Sequence, residues 1–332
     1  MIGWLLLPHG GAGAEPENSV HAWAISEKMQ GVAASMVQTA THPDRPHVTA
    51  PDLPTEDDRS TQSNTAQSQA QSQAQSQAEF RSEMPPDIQR ILQRGKLIVA
   101  LLHQDNPPFF MTDATGELFG LDAEVARSIA EQLGVAVEFN RSAQTFDQVV
   151  RTVYRLEADL AISKLSRTLS RAKAVRFTQP YVTMRQGLLV NRLQIAQQAN
   201  GREIPDVIRH LKGKIGVIQG SSYVGFTQKK FPQAEIVEFP SWAAAVAAVI
   251  RGEVVATYRD ELEVKKIVLS QPDAALQFQT IALTDTEDSI AIALPWDSQH
   301  LLAFVNQSLE IMQTHHTASS LLQAYSENWQ GK

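Results

Sequence analysis

The sequence predicts an α/β protein made of two lobes, and three observations lead to this prediction. From Pro86 onward, short apolar strands alternate with amphipathic helices in the order β-α-β-α-β, which implies a mostly parallel sheet with helices on its faces. The same order starts again near Lys214, so the chain contains two similar cassettes. The length of 332 residues is sufficient for two domains of ordinary size.

The elements follow from the spacing of apolar residues, which is continuous in the buried strands and helical in the helices. The first cassette has predicted strands at 96–102, 135–139 and 159–162, with helices at 121–133 and 146–156. The second has strands at 214–218, 235–239 and 254–258, with helices at 222–231, 242–251 and from about residue 260. A strand at 289–294 and helices at about 298–313 and 318–328 complete the prediction.

Residues 1–85 have a different composition. The apolar run Met1–Leu7 precedes the triplet Ala12-Gly13-Ala14, which has the small-residue form of a signal-peptidase site but lacks a basic segment before it. Two interpretations stay open: a signal peptide that starts upstream of Met1, or a short hydrophobic end without a role. Residues 15–85 lack periodicity and carry a Ser/Gln/Ala repeat near 68–78, so a disordered low-complexity linker is predicted there.

Composition argues against several classes of function. Residues 1–90 hold 11 acidic and 5 basic side chains, which leaves residues 91–332 with a net charge of only −1, so no nucleic-acid partner is expected. The chain has no cysteine, and thiol catalysis, disulfides, cysteine-based zinc sites and a lipobox are therefore excluded. No apolar run reaches membrane-spanning length. No phosphate-binding loop, nucleophile elbow or zinc-protease motif is present, and we expect no cofactor and no metal.

The most informative segment runs from Glu157 to Tyr181. A short strand is followed by a Ser/Thr-rich turn, and Arg171 stands five residues after Ser166. A guanidinium offers a planar, bidentate fork and a hydroxyl can fill a remaining lone pair, so these two side chains can converge on one carboxylate.

This segment and four further motifs, in order along the chain, carry a family resemblance. The motifs are Gly95–Ala100 with Asn106–Phe110, then Gly116–Asp122, Lys214–Ser222 and Leu321–Trp329. The ordered set resembles the family 3 extracellular solute-binding proteins and is similar to the ligand-binding core of ionotropic glutamate receptors. The resemblance implies a two-lobed, type II periplasmic-binding-protein-like fold over about residues 90–330.

The resemblance also implies how the lobes are connected. The chain is expected to cross between them near Gly187–Arg192 and again near Asp288–Ala291. The first lobe then comprises residues 86–189 and 290–332, and the second comprises residues 190–289. A ligand enclosed between the lobes is expected to draw them together.

The family's binding residues map onto eight positions here. Arg171 matches the clamp on the α-carboxylate of an amino acid, and Ser166 matches its hydroxyl partner. Lys164 stands where a backbone carbonyl receives the α-ammonium, at a position often held by a small residue. Asp260 matches the carboxylate that pairs with that ammonium. Phe146 matches an aromatic residue on the aliphatic part of the ligand, and a helix N-terminus suited to polar groups is expected at Gly220, Ser221 and Ser222.

Structural interpretations of these residues stay open. Asp260 also fits a helix N-cap, and Phe146 also fits an ordinary core position. The side chains of Lys164 and Arg167 could point to solvent, whereas a lysine in the cleft would favour an acidic ligand.

The predicted function is that of a periplasmic, monomeric binding protein, without enzymatic activity, that delivers a polar amino acid to an ABC import permease. One alternative is a sensor that reports the ligand to a receptor. Another is a dehydratase of prephenate or arogenate on the same fold, which would need a general acid in the cleft.

Overall fold

The computed structural model describes the backbone of residues 4–6 and residues 83–270 and 276–325, with no description of the Tyr325 side chain. The predicted linker and the predicted cleavage site near Ala14 lie outside these residues, except for the last residues before Pro86. Within the described part of the chain, no helix has the length and apolar character needed to cross a membrane.

The elements alternate as the sequence predicts, and their bounds are as follows. Fourteen strands occur in the described residues: β1 Trp4–Leu6, β2 Lys96–Leu102, β3 Met111–Thr112, β4 Leu118–Phe119, β5 Ala136–Ala143, β6 Leu160–Ala161, β7 Arg176–Phe177, β8 Val182–Asn191, β9 Gly213–Ile218, β10 Ala234–Phe239, β11 Ala256–Asp260, β12 Phe278–Ile290, β13 Ala293–Leu294 and β14 His316–Thr317. The α-helices described are Pro86–Arg94, Leu121–Gln132, Phe146–Tyr154, Arg192–Ala199, Ile204–Arg209, Ser222–Lys230, Trp242–Ile250, Glu261–Ser270, Gln299–Ile311 and Ala318–Tyr325.

A five-stranded sheet in the order β5-β2-β6-β13-β7 forms the centre of what we call the first lobe. Strand β2 is parallel to both of its neighbours, β5 and β6, whereas β13 runs antiparallel to β6 and β7. Leu97, Val99 and Leu101 of β2 lie on one face of the sheet and are fully buried, and Ala100 and Leu102 on the other face are buried as well.

A seven-stranded sheet forms the centre of the second lobe, in the order β1-β12-β8-β11-β9-β10 with β14 added to β8. Strand β9 is parallel to both β10 and β11, in keeping with the mostly parallel sheet that the element order predicts, and the long strands β8 and β12 add antiparallel pairs. Both sheets are therefore mixed. The edge strand β1 pairs with β12 at residues 281–283, a pairing that the sequence did not predict.

Strands β8 and β12 carry the chain between the lobes side by side. In β8, Met184 packs in the core of the first lobe, whereas Leu188 packs in a core of the second. In β12, Leu283 belongs to the second lobe and Ile290 to the first, with an irregular register between Leu283 and Asp288. The core thus changes between Met184 and Leu188, a few residues before the predicted boundary at 189, and between Leu283 and Ile290, next to the predicted boundary at 290. The lobe boundaries themselves stay a proposal.

Candidate functional site

Seven of the eight predicted site residues meet around one small cavity between the two sheets. Its volume is about 20 Å³. The predicted residues that line it are Phe146, Lys164, Ser166, Arg171, Ser221, Ser222 and Asp260. The carboxyl ends of β6 and β11 supply several of them, as expected for ligand sites in open α/β sheets.

Arg171 begins a 3₁₀ turn and is 7% exposed. Its Nε and Nη2 groups donate to Asp147 Oδ1 at 3.1 and 2.9 Å, and Nη1 donates to the Ser166 carbonyl oxygen at 3.2 Å. Three of the five N–H groups of the guanidinium are thereby used, and the other two have no partner among the described residues. These two N–H groups remain available for a carboxylate.

Ser166 and Ser222 connect the two lobes through hydrogen bonds. Ser222 Oγ donates to Ser166 Oγ at 2.8 Å, and Ser166 Oγ donates to Asp288 Oδ2 at 3.1 Å. Tyr223 Oη donates to the same carboxylate oxygen at 2.8 Å. The Ser166 hydroxyl that was expected to donate to a ligand therefore donates to Asp288 in this arrangement.

Asp288 is buried, and its second oxygen, Oδ1, has no hydrogen-bond partner among the described residues. Burial raises the pKa of this carboxyl group to about 6, and the nearby charge of Asp260 adds to the effect. The hydrogen bonds from Tyr223 and Ser166 act in the opposite direction. Asp288 thus titrates close to neutral pH.

Lys164 does not point to solvent. Its side chain is 3% exposed, and Nζ lies 3.0 Å from Asp260 Oδ2 and 2.9 Å from Glu263 Oε1. The ammonium also lies 4.8 Å from the centroid of the Phe109 ring. Lys164 belongs to the first lobe and both carboxylates to the second, so this ion pair joins the lobes.

Asp260 combines the two roles that the sequence left open. Its Oδ1 accepts from the backbone N–H of Glu263 at 3.2 Å, which caps the helix Glu261–Ser270. Its Oδ2 pairs with Lys164 and lies 3.6 Å from Arg259 Nε. The carboxylate expected to receive a ligand ammonium is thus paired with cations of the chain itself.

Glu263 completes this charge cluster. Burial by itself would raise the pKa of Glu263, but the ammonium groups of Lys164 and Lys266 hold that pKa well below its usual range. Glu263 is therefore ionised at neutral pH, although it is buried.

Phe146 also combines both interpretations, because it packs in the core of the first lobe and lines the cavity. The Arg259 guanidinium lies 5.9 Å from the centroid of its ring and 5.4 Å from that of Trp242. This arrangement is a cation–π contact from the second lobe to an aromatic residue of the first.

A second cavity of about 240 Å³ adjoins the first and shares Phe146, Ile218 and Arg259 with it. Its lining includes Trp242 and Asn106. Both have a buried side-chain nitrogen without a partner among the described residues. Arg171 and Lys164 line only the smaller cavity, whereas Phe146 and Arg259 line both.

Gly220 is the one predicted residue that does not line the cavity. Its φ angle is +61°, and a Cβ atom on it would lie 2.8 Å from Thr145 Cβ of the first lobe. Its carbonyl oxygen accepts from the N–H of Asp147 at 3.0 Å. Gly220 therefore lies at the contact between the lobes. Its neighbour Ser221 donates to the Ile218 carbonyl oxygen at 2.6 Å.

Arg259, Glu263, Tyr223 and Asp288 are polar residues of the site that the sequence did not predict. Arg259 and Glu263 flank Asp260 and could have been found from the rule that ligands bind at the carboxyl ends of strands. Tyr223 follows Ser222 directly, but a tyrosine in a helix is not distinctive. Asp288 lies in a run of polar residues, and no pattern in the sequence separates it from the others.

The family model of the bacterial extracellular solute-binding proteins, family 3, matches residues 98–328. ABC transporter arginine-binding protein 1 of Escherichia coli is 26% identical over 227 residues, which is 67% of this chain and 86% of that protein. The histidine-binding periplasmic protein of Salmonella typhimurium is 26% identical over 168 residues, 50% of this chain and 61% of that protein.

Solved structures show the same fold. The amino acid ABC transporter substrate-binding protein AbpA of Streptococcus pneumoniae, bound to L-arginine, has a TM-score of 0.55 and 27% identity. The match covers 72% of this chain and 96% of that one. The ancestral amino acid-binding protein AncCDT-1, a precursor of cyclohexadienyl dehydratase, has a TM-score of 0.56 and 26% identity over 73% of this chain and 98% of its own.

Proposed function

Because this chain belongs to family 3 of the bacterial extracellular solute-binding proteins, we propose that it captures a polar amino acid between its lobes and delivers it to an ABC import permease. The observation that carries this proposal is the convergence of Arg171 from the first lobe and Asp260 from the second on one cavity. A zwitterion needs both a cation and an anion as partners, and the two lobes supply one each.

The amino acid would be held by both lobes at once. The two unpaired N–H groups of Arg171 would take its α-carboxylate, because a guanidinium binds a carboxylate through two parallel hydrogen bonds. The α-ammonium would pair with Asp260. The side chain would extend along Phe146 toward the larger cavity, where Trp242 and Arg259 form part of the lining.

The location and the partner of the chain are proposed from the names of its relatives. One relative is named an ABC transporter arginine-binding protein and another a histidine-binding periplasmic protein. On this basis we propose the periplasm as the location and a permease as the partner of this chain. We also propose that the chain is not an enzyme. AncCDT-1, a precursor of a dehydratase, is itself named an amino acid-binding protein. The absence of turnover of prephenate and arogenate would support this part of the proposal, and turnover of either would contradict it.

A thermal-shift screen of the twenty amino acids tests the proposed function, with L-arginine and L-histidine as the first probes because relatives are named for them. A ligand at 100 times its dissociation constant adds about 2.7 kcal/mol to the free energy of unfolding. For a protein of this size that corresponds to a rise in midpoint of about 5–10 °C. If no amino acid raises the midpoint, the proposal is wrong.

A further inference from the structure

Lys164 has an unusual backbone conformation that directs its side chain into the site. Its φ angle is +48°, in the left-handed region that residues with a Cβ rarely adopt. The conformation is held by Asp122, which is buried and whose Oδ2 accepts from the N–H of Lys164 at 2.8 Å. Tyr181 Oη donates to the other oxygen of Asp122 at 2.7 Å and so fixes the carboxylate.

The ammonium of Lys164 has the surroundings that an amino acid's α-ammonium would need. It lies within 3.0 Å of Asp260 and 2.9 Å of Glu263 and faces the Phe109 ring at 4.8 Å. An ammonium has three donors, and here two carboxylates and one aromatic face receive it. A buried lysine needs such compensation, since its charge is costly to remove from water.

Lys164 also determines how much room remains. With its side chain in this position, the cavity of about 20 Å³ is large enough for roughly one water molecule. An α-amino acid therefore cannot reach Asp260 unless the Lys164 side chain leaves. The two ammonium groups compete for one carboxylate.

We propose that Lys164 is a tethered competitor of the amino acid: its ammonium pairs with Asp260, holds the two lobes together, and is displaced when an amino acid binds. This inference rests on the proposed function for the identity of the displaced ligand. The other part of the proposal, that Lys164 holds the two lobes together, does not require a ligand. Molecules in which Lys164 is paired with Asp260, which we call the latched form, cannot bind the amino acid. The apparent affinity is therefore reduced to the extent that this form is populated, and a tenfold preference for the latched form weakens the apparent affinity about tenfold.

Two variants separate the charge of Lys164 from its bulk. Lys164→Gly removes the side chain and suits the left-handed backbone, whereas Lys164→Met removes the charge and keeps most of the volume. Lys173→Met is the matched control, because Lys173 is an exposed lysine of the same lobe. Circular dichroism checks that each variant is folded.

Solution scattering without added amino acid tests whether Lys164 holds the two lobes together. Both Lys164 variants are expected to have a larger radius of gyration than the parent, and Lys173→Met is expected to match the parent. If both folded Lys164 variants have the radius of gyration of the parent, Lys164 does not hold the lobes and the proposal is wrong.

Calorimetry with L-arginine, L-histidine and L-glutamine measures the competition. Lys164→Gly is expected to bind the probe that the parent recognises at least about tenfold more tightly, and Lys164→Met less so because its side chain still fills the cavity. If Lys164→Gly binds the probe with an affinity within about twofold of that of the parent, Lys164 does not compete with the amino acid. If none of the twenty amino acids of the thermal-shift screen binds the parent or Lys164→Gly, the proposed function fails, and scattering still decides whether Lys164 holds the lobes together.

Discussion

At the scale of single residues, the strongest prediction concerns Arg171. Replacing it with alanine should abolish amino-acid binding, because a ligand carboxylate would be left buried without its bidentate partner. Truncating one member of a buried charge pair costs about 2–5 kcal/mol, which corresponds to a loss of affinity of roughly 30-fold to several thousand-fold. Calorimetry measures the loss. Arg171→Lys should also bind weakly, since an ammonium cannot form two parallel hydrogen bonds.

The fold should survive this change. Asp147, the ion-pair partner of Arg171, is 51% exposed and can be hydrated when the guanidinium is removed. The exposed Arg167, four residues earlier, provides the matched control, and Arg167→Ala should bind like the parent. An Arg171→Ala protein with affinity within about threefold of the parent would mean that the carboxylate is bound elsewhere.

Asp288 gives a prediction about pH. Its pKa is about 6 in the folded protein against an ordinary value of 3.8, so between these values the folded chain binds more protons than the unfolded one. Stability from this group therefore falls as pH rises through that window. Asp288→Asn removes this titrating group. From pH 4 to pH 7 its free energy of unfolding should therefore rise by about 2–3 kcal/mol relative to that of the parent.

Denaturant titrations at pH 4 and pH 7 measure this gain. The same change at the exposed Asp297 serves as the control and should show no such dependence. A difference between Asp288→Asn and the parent that is equal at both pH values would show that Asp288 does not carry the pH dependence.

The site was partly predictable at this scale, and the reason is distance along the chain. Ser166 and Arg171 are five residues apart in one segment that resembles the family motif, so the sequence could place both beside one cavity. Lys164 and Asp260 are separated by nearly the length of a lobe, and nothing local indicates that they pair. A motif indicates which residues lie near a ligand, but not which of those residues form ion pairs or hydrogen bonds with each other.

At the scale of elements, Gly220 in the turn between β9 and the helix Ser222–Lys230 should be intolerant of a side chain. In Gly220→Ala, the new Cβ would lie 2.8 Å from Thr145 Cβ across the cleft, in a left-handed backbone that alanine disfavours by about 1–2 kcal/mol. We expect roughly tenfold weaker amino-acid binding, because the approach of the lobes is hindered.

A second glycine in the same stretch tests the specificity of this effect. Gly225 lies within the helix, and a Cβ on it would have no atom within 4 Å. Gly225→Ala should keep the parent's affinity and can gain up to about 1 kcal/mol of stability from helix propensity. Equal affinities of the two alanine variants in calorimetry would contradict the proposed contact.

The elements with regular apolar spacing were predicted well, and those without it were not. Strand β2 and the helix Trp242–Ile250 lie where continuous or helical apolar patterns place them. The helix Arg192–Ala199 was missed because it buries only Ile195 and Ala199. Strand β12 was predicted to start at residue 289 and begins at Phe278, because its polar stretch from Thr284 to Glu287 resembles a loop.

At the scale of the whole molecule, the family and the two-lobed α/β class predicted from the sequence are confirmed. Repetition of a cassette was enough to predict two lobes, since each cassette builds its own core. The sequence also predicts that an amino acid draws the lobes together. The Lys164 bridge modifies this expectation: compaction on binding should be smaller in the parent than in Lys164→Gly, because the parent is already held by its own ion pair.

The final prediction concerns the part of the chain that the binding site requires. All residues that line the two cavities lie between Leu102 and Ile290. A chain that begins at Glu79 should therefore keep the parent's affinity for an amino acid within about threefold, a difference too small to represent a lost contact. It lacks the edge strand β1, which pairs with β12 over three residues, so a fall in thermal midpoint of a few degrees is expected.

A chain that begins at Pro8 separates the two contributions, because it lacks only β1 and the residues flanking it. Its thermal midpoint should equal that of the chain beginning at Glu79, and calorimetry should give both the same affinity. If the chain beginning at Glu79 binds much more weakly than the one beginning at Pro8, residues 8–78 contribute to the site. In that case the two lobes alone do not account for amino-acid binding.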